Sequence, residues 1–238
     1  LLTDADCRVT KRWLLTMRQN FIPENAFVLA YGGYEKKKGL LNKMIRYDTV
    51  FIAMQYAGFA LRGIPYMGVG RNLAYRKSVF TGYGGFQSHR HVLSGDDDLW
   101  INQQATKSNT AVELQPESFT YSEPETSLID WMVQKRRHFS TAKYYKTRHL
   151  FWLGGEIFSR LVFYLLFVVL LVAAFSPALV ALFLLRWLVL FPVFFLICRR
   201  FKEKDLPLYF PFFDLILPVF NLFIYLSYIF YKKIEWKK

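Results

Sequence analysis

The chain has 238 residues, of which 53% are hydrophobic and 21% are charged, and its net charge is +13. This length allows one medium-sized domain and a membrane region, and the mixed composition is typical of a protein that meets both water and lipid. The basic residues lie around apolar segments without a base-reading motif, which argues against a nucleic-acid partner and favours contact with anionic membrane lipids. The two cysteines, Cys7 and Cys198, cannot form a disulfide framework and do not indicate a zinc site.

Residues 1–150 alternate between helix-like and strand-like patterns, which predicts a mixed α/β domain. A segment rich in glycine and aromatic residues, 66–86, predicts short strands and loops whose backbone approaches another group closely. The predicted regular elements are, in chain order, a helix within 10–20, a strand at 26–31, a helix at 40–61, a helix at 99–105, extended segments at 111–114 and 118–121, and an amphipathic helix at 127–140.

After His149 the composition changes to long apolar runs. Residues 157–175 and 178–197 are each about as long as the roughly 20 residues that a helix needs to cross a bilayer, and a Ser-Pro pair separates them. They predict a transmembrane hairpin within a membrane region at 151–238. Basic residues precede and follow the hairpin, so the positive-inside rule places both of its ends in the cytoplasm.

A third apolar segment, 206–231, is long enough to span a bilayer but contains Pro207, Pro211, Asp214 and Pro218. Its far end is basic as well, so a simple third span would place basic residues outside, against the same rule. Two alternatives follow, an interfacial or re-entrant piece and a true span with the tail outside. The sequence leaves both open.

Two carboxylates stand close to the start of the chain, at Asp4 and Asp6. Residues i and i+2 of an extended strand point to the same side, and two carboxylates on one side suit a hard cation such as Mg²⁺ or Mn²⁺ and, through it, a diphosphate. A solvated turn or a helix cap is the alternative. Because the strand has no preceding neighbours and no starting Met, we expect the chain to be the later part of a longer protein.

Three adjacent carboxylates, Asp96, Asp97 and Asp98, follow Gly95 and precede a predicted helix. Ordinary capping explains acidic residues at the start of a helix. Crowded carboxylates also repel one another, which raises the pKa of one of them and can create a general base. The pattern leaves both interpretations open.

A basic stretch begins at Gln134 and includes Arg136 and Arg137. It can anchor a helix to the membrane; alternatively, Gln134 and Arg137, three residues apart on one helix face, can donate to a phosphate. A fourth segment, which runs from Gly68 to Lys77, is a weak signal by itself because a glycine-rich strand and turn explains it.

The order of these four groups along the chain, ahead of a transmembrane hairpin, resembles the membrane-anchored inverting glycosyltransferases of family 2. This group includes cellulose, chitin and hyaluronan synthases and ceramide glucosyltransferase-like enzymes, and its catalytic domains have the GT-A fold. The resemblance implies that residues 1–150 are the C-terminal part of a GT-A domain. It also implies that a nucleotide-binding half precedes residue 1, so that the chain is inactive by itself.

The resemblance assigns a role to each group. Asp4 and Asp6 match the family's Asp-x-Asp motif and would hold Mg²⁺ or Mn²⁺. The predicted acceptor-binding residues are Gly70, Asn72, Ala74 and Trp100; the predicted base is Asp97, with Asp98 and Asp96 as the alternatives in register; and the predicted diphosphate ligands are Gln134, Arg137 and Arg136. His138 replaces the Trp of the family's Gln-x-x-Arg-Trp motif. Residues 234–237 resemble the short tails that follow the last membrane segment of these enzymes.

The implied reaction moves a sugar from a nucleotide-diphosphate donor, most simply a UDP-sugar, to a lipid or glycan hydroxyl with inversion. It would take place at the cytoplasmic face of a bacterial inner membrane. A processive polysaccharide synthase is an alternative, which the missing Trp disfavours. A transporter or adaptor subunit is an alternative of another class, since Arg186, Asp214 and Asn221 lie within apolar runs and polar groups inside a membrane are commonly functional.

Overall fold

The computed structural model describes residues 1–92 and 94–230. The chain divides into two compact units, of which the first is Leu1–Lys146 and the second begins at Thr147. Residue 231, which ends the predicted third apolar segment, and the predicted tail at 234–237 lie outside the described residues.

The strands of the first unit form two three-stranded sheets in the described part of the chain. The first sheet has the order β4-β2-β5, with β2 antiparallel to β4 and parallel to β5. The second has the order β1-β6-β3, with β6 antiparallel to β1 and parallel to β3. The strands are β1 (Arg8–Val9), β2 (Phe27–Ala30), β3 (Gly32–Tyr34), β4 (Leu73–Tyr75), β5 (Thr110–Glu113) and β6 (Thr120–Ser122).

Strand β2 lies at the centre of the first sheet because all four of its residues are apolar and buried, as is typical of a strand covered on both faces. The chain then passes through Tyr31 into β3, so the two sheets follow one another directly. Leu2 extends the edge of the first sheet by an isolated bridge to Leu73, with a 2.7 Å hydrogen bond from its amide to the Leu73 carbonyl. This bridge fixes the start of the chain beside β4.

Five helices complete the first unit as described, and four of them lie where the sequence pattern predicted helices. Helix α2 has the predicted bounds, since a long apolar periodicity is a local signal. The third helix lies within 66–86, where we predicted only strands and loops; residues 71–81 contain neither glycine nor proline, and a short helix forms there. The helices are α1 (Trp13–Arg18), α2 (Leu40–Leu61), α3 (Lys77–Gly82), α4 (Asp98–Gln104) and α5 (Leu128–Ala142).

Helix α5 is joined to α2 by a buried ion pair. The ammonium group of Lys135 bonds to Asp48, and less than a tenth of either side chain is exposed. The Lys135 ammonium also lies 5.2 Å from the centroid of the Trp131 ring. Because removing one partner of such a pair leaves a buried charge unpaired, Lys135 fixes the position of the helix that carries Gln134 and Arg137.

An aromatic cluster packs against α4 around Trp100, which is fully buried. The rings of Phe27, Tyr75, Phe80 and Phe86 meet Trp100 edge-on, with centroid distances between 5.5 and 6.3 Å. Edge-on contacts of this kind stabilise a core beyond the area they bury. The aromatic residues of the glycine-rich segment therefore contribute to the core beneath the acidic residues that precede α4.

The second unit contains three helices that are long and apolar enough to cross a membrane. They are α6 (Thr147–Ala173), α7 (Pro177–Arg200) and α8 (Phe210–Phe230), and a short 3₁₀ turn, Leu206–Tyr209, precedes α8. Helix α6 begins well before the apolar run predicted at 157. Helix α8 continues unbroken through Pro218, which favours the spanning alternative for the third segment over a re-entrant piece.

Polar residues of the second unit bond to one another across its three helices. Asp214 of α8 is buried and lies 2.6 Å from NH1 of Arg186 in α7. It also accepts a hydrogen bond from the hydroxyl of Tyr164 in α6, and Arg160 of α6 lies 3.6 Å from its other oxygen. The acidic and basic residues that interrupt the apolar runs thus hold the three helices together.

Candidate active site

The two predicted metal ligands stand on a turn and not on a strand end, so the predicted local structure was wrong. The amide of Cys7 donates a 3.0 Å hydrogen bond to the carbonyl of Asp4 and closes this turn. One oxygen of Asp4, one of Asp6 and the Sγ atom of Cys7 nevertheless lie within 4.8 Å of one another. The turn brings the carboxylates together, which we had expected from the alternation of a strand.

Gly70 connects this turn to the second acidic group. Its amide donates a 2.6 Å hydrogen bond to Oδ2 of Asp97. A Cβ atom at Gly70 would lie 3.3 Å from Oδ2 of Asp97 and 3.7 Å from Oδ1 of Asp4. The missing side chain of Gly70 therefore leaves a space that both carboxylates border.

Asp97 has the altered acidity that a general base needs. Desolvation, together with the charges of Asp98 and Asp96, raises its pKa to about 7. Hydrogen bonds from the amides of Gly70 and Asp98 act in the opposite direction and lower this pKa. The residue keeps some exposed surface, and Asp96 is exposed. A carboxylate with a pKa near neutrality is well suited to accept a proton at physiological pH.

The carboxylate of Asp98 is held by hydrogen bonds within the first unit. Its side chain is buried and accepts hydrogen bonds from the hydroxyl of Thr141, from the hydroxyl of Tyr145 at 2.7 Å and from the amide of Leu99 at 2.7 Å. Burial raises its pKa, and these donors oppose the rise. Asp98 therefore links α4 to the end of α5, while its neighbour Asp97 is partly exposed.

Charged residues from all four predicted groups act on the pKa of Asp4. Partial burial raises the pKa of Asp4, although part of its side chain is exposed. The charges of Asp6 and Asp96 raise this pKa further, and those of Arg71 and Arg137 lower it. The turn, the glycine-rich segment, the acidic run and helix α5 thus contribute charges to one place in the first unit.

Helix α5 carries the predicted diphosphate ligands. Gln134 accepts a 3.2 Å hydrogen bond from the hydroxyl of Tyr34 through its Oε1 atom. Arg137 is near enough to Asp4 to lower its pKa. Arg136 is partly buried in the same helix, and its contact with a diphosphate stays a prediction.

Three of the four predicted acceptor ligands, Asn72, Ala74 and Trp100, are buried with at most 1% of their surface exposed. The amide group of Asn72 donates to the carbonyls of Tyr31 and Ser118, at 2.8 and 2.6 Å, and joins the two sheets. These three residues lie in the core, whereas Gly70 is partly exposed, and its contact with an acceptor stays a prediction.

Sequence reasoning missed several residues that the fold adds to this place. Arg71 and Tyr34 are neighbours of the acidic turn and of Gln134, and Thr141 and Tyr145 fix Asp98. The four-residue spacing of Thr141 and Tyr145 gives no helix-face signal, because α5 ends at Ala142 and Tyr145 lies beyond it. No local signal singles out Tyr34.

The chain matches a model that describes glycosyl transferase family 21, over residues 1–238. The chain belongs to glycosyl transferase family 21. This family is ceramide glucosyltransferase-like and has the GT-A fold, so the predicted resemblance to family 2-like glycosyltransferases is confirmed. No curated protein matches the chain.

Membership of family 21 makes the chain a glycosyltransferase, which in general uses a nucleotide sugar and an acceptor. The mixed α/β unit and the three apolar helices are consistent with a transferase domain that is associated with a membrane. The acidic turn fits the divalent cation that the resemblance implied, because Asp4 and Asp6 offer hard oxygen donors close together and Gly70 leaves room beside them.

Proposed function

We propose that this family 21 protein transfers a sugar from a nucleotide-diphosphate donor, a UDP-sugar in the first instance, to a hydroxyl of a lipid or glycan acceptor with inversion. The observation that carries the proposal is the arrangement around Gly70, where the carboxylates of Asp97 and Asp4 both lie within 4 Å of one Cβ position. In an inverting transfer the base and the leaving-group site act on opposite sides of one sugar carbon. The residues that form these two sites must therefore lie close to one another.

Asp97 is the proposed base. It takes the proton of the acceptor hydroxyl while that oxygen forms a bond to the anomeric carbon, and the bond from this carbon to the diphosphate oxygen breaks. The pKa of about 7 lets Asp97 be ionised before the reaction and hold the proton afterwards. Its hydrogen bonds from the amides of Gly70 and Asp98 fix the orientation of the carboxylate.

The diphosphate is the proposed ligand of the acidic turn and of helix α5. Asp4 and Asp6 would hold Mg²⁺ or Mn²⁺, which neutralises negative charge on a leaving diphosphate. Gln134 and Arg137 would donate hydrogen bonds to the same phosphate oxygens, and a charged donor makes the stronger bond. Tyr34 orients Gln134 for this task through its hydroxyl.

We place the enzyme at the cytoplasmic face of a membrane, in a bacterium the inner membrane. Three apolar helices support the membrane location, and the basic residues that flank them support the cytoplasmic side. A single transfer is favoured over a processive synthase because His138 stands where the Trp of the polymerase motif would be. The mutual pairing of Arg186 and Asp214 accounts for both residues without a transport function.

The test is an assay of the full-length protein in lipid nanodiscs with a panel of UDP-sugars and lipid or glycan acceptors. Asp97→Asn should lower transfer by about 10²- to 10⁴-fold and leave nucleotide binding nearly unchanged. Asp96→Asn is the matched control, since Asp96 is exposed in the same acidic run. Near-normal turnover by Asp97→Asn would exclude Asp97 as the base. A parent protein that transferred no sugar from any donor would contradict the proposed function itself.

A further inference from the structure

Arg71 occupies a prepared position next to Gly70. Its guanidinium carbon lies 4.1 Å from the centroid of the Tyr34 ring, and NH1 donates to the carbonyl of Gly33 at 3.3 Å. The carbonyl of Arg71 accepts a 2.9 Å hydrogen bond from the hydroxyl of Thr120. The backbone and the guanidinium of Arg71 are thus each fixed by a different strand of the second sheet, which is how a side chain is preorganised for a ligand.

No carboxylate balances the charge of Arg71 at close range within the described residues. The guanidinium lies against the ring of Tyr34 and the carbonyl of Gly33, neither of which is a carboxylate. Arg71 directly follows Gly70, whose Cβ position would lie 3.7 Å from Oδ1 of Asp4. A partly buried positive charge therefore faces the acidic turn without an ion pair of its own.

Tyr34 joins Arg71 to a residue already assigned to the diphosphate. One face of its ring lies against the guanidinium, and its hydroxyl donates to Oε1 of Gln134. That bond leaves the amide nitrogen of Gln134 as a donor for another partner. Arg71 and Gln134 are thus positioned by the same aromatic side chain, although Gln134 lies 63 positions after Arg71 in the sequence.

We propose that Arg71 binds the diphosphate of the donor directly. It does so from the same side of the site as Gln134, because Tyr34 positions both residues. The inference rests on the proposed function and adds a ligand to the same site. Arginine suits the task because its planar fork matches phosphate oxygens two at a time and stacks on aromatic rings, whereas the ammonium group of lysine does neither.

The experiment measures the binding of inorganic pyrophosphate to the full-length protein in nanodiscs by calorimetry, with and without Mn²⁺. Pyrophosphate reports on the diphosphate site whatever base the donor carries. Arg71→Gln should weaken binding about ten- to a hundredfold in both conditions, the loss expected for a charge-assisted hydrogen-bonding group. Arg71→Lys should recover only part of this loss, and Tyr34→Leu should weaken binding because it removes the ring beneath the guanidinium.

Arg76→Gln is the matched control. Arg76 belongs to the same segment, and its guanidinium likewise donates to backbone carbonyls, those of Asn25 and Ile22, and lies 5.7 Å from the ring of Phe21. It has the same charge and a similar kind of support. Loss of Arg76 should therefore lower the melting temperature without changing pyrophosphate binding, which separates a ligand from a structural arginine.

The outcomes are distinct. Unchanged pyrophosphate binding by a folded Arg71→Gln or Arg71→Lys protein overturns the role of Arg71 and leaves the proposed function standing. An equal loss in Arg71→Gln and Arg76→Gln also overturns it, because the effect is then one of folding or net charge. A parent protein that binds no pyrophosphate under either condition overturns both the inference and the proposed diphosphate site.

Discussion

The amide of Gly70 donates a 2.6 Å hydrogen bond to the Oδ2 atom of Asp97. This bond joins a residue of the glycine-rich segment to the carboxylate that we propose as the base. It lies beside the acidic turn, since Asp4 borders the same space. The geometry of Gly70 therefore controls how closely the base and the proposed metal ligands approach one another.

We expect Gly70→Ala to lower kcat by about tenfold to a hundredfold, because small displacements of reacting groups can cost that much. A Cβ atom would lie 3.3 Å from Oδ2 of Asp97 and push the carboxylate away. The check is transfer by the full-length protein. Gly58→Ala is the control. Gly58 lies in helix α2, and a Cβ atom there would meet nothing within 4 Å. Equal kcat for Gly70→Ala and the parent would contradict the prediction.

The pH profile of kcat/KM should fall on its acid side with an apparent pKa near 7. Asp97 must be ionised to accept a proton, and its pKa is raised to about 7, so each unit of pH below that value removes about nine-tenths of the active form. Asp96→Asn removes a charge that raises this pKa and should move the acid limb to lower pH. Asp97 would be excluded as the base if the acid limb of the profile did not move in Asp96→Asn. An acid limb near pH 4 in the parent would exclude it as well.

Asp97→Asn should increase thermal stability at pH 8 while it removes transfer. The pKa of Asp97 is about 7 in the folded protein and 3.8 without the fold. The folded state thus binds the proton more tightly, and stability falls as pH rises between these values. The melting temperatures of the variant and the parent, measured in detergent, should converge toward pH 4. A lower melting temperature for Asp97→Asn at pH 8 would refute this linkage.

Thr141→Val and Tyr145→Phe should each destabilise the protein by about 1–3 kcal/mol, because each leaves the buried carboxylate of Asp98 short of a donor. Thermal unfolding measures the effect. Thr81→Val is a control of the same chemistry, since Thr81 is exposed and its hydroxyl bonds only to carbonyls of its own helix. Losses no larger than that of Thr81→Val would show that Asp98 does not depend on α5.

Asp214→Ala should destabilise the second unit by about 3–5 kcal/mol, the usual effect of removing one partner from a buried ion pair. It leaves Arg186 and Arg160 without the carboxylate that they share. Unfolding in detergent, followed by proteolysis of the helices, measures the change. The double variant Asp214→Leu with Arg186→Met should recover much of the loss. A single variant as stable as the parent would show that the pair does not hold the helices.

Much of the fold could be predicted because its signals are local. The apolar periodicity of α2 and the apolar runs of α6 and α7 depend only on neighbouring residues. Helix α2 was recovered with its bounds and α7 within a few residues at each end, whereas α6 begins at Thr147, well before the predicted run. Helix α3 was missed because the glycines around it dominated the pattern of the whole segment. The turn at Asp4 was predicted only as the alternative to a strand end, and it is closed locally by the hydrogen bond from the Cys7 amide to the Asp4 carbonyl.

The sequence predicted which residues belong to the candidate site, but it did not predict which atoms those residues contact. Motif order brought Asp4, Asp97 and Arg137 together, and the electrostatics place Asp4 near Arg137. The same reasoning treated Asn72 as a residue for the acceptor, whereas its side chain bonds two backbone carbonyls inside the core. A motif names residues that are needed, and only the contacts distinguish those that touch a ligand from those that support the site.

The sharing of Asp214 between two arginines has a consequence for how the membrane part is made. Arg160 and Arg186 lie on α6 and α7, and the carboxylate lies on α8, which is synthesised last. Until α8 arrives, the hairpin holds two cations within apolar helices, and Arg160 is paired with Glu156 of its own helix. We therefore expect α8, which brings the carboxylate that both arginines share, to stabilise the inserted hairpin.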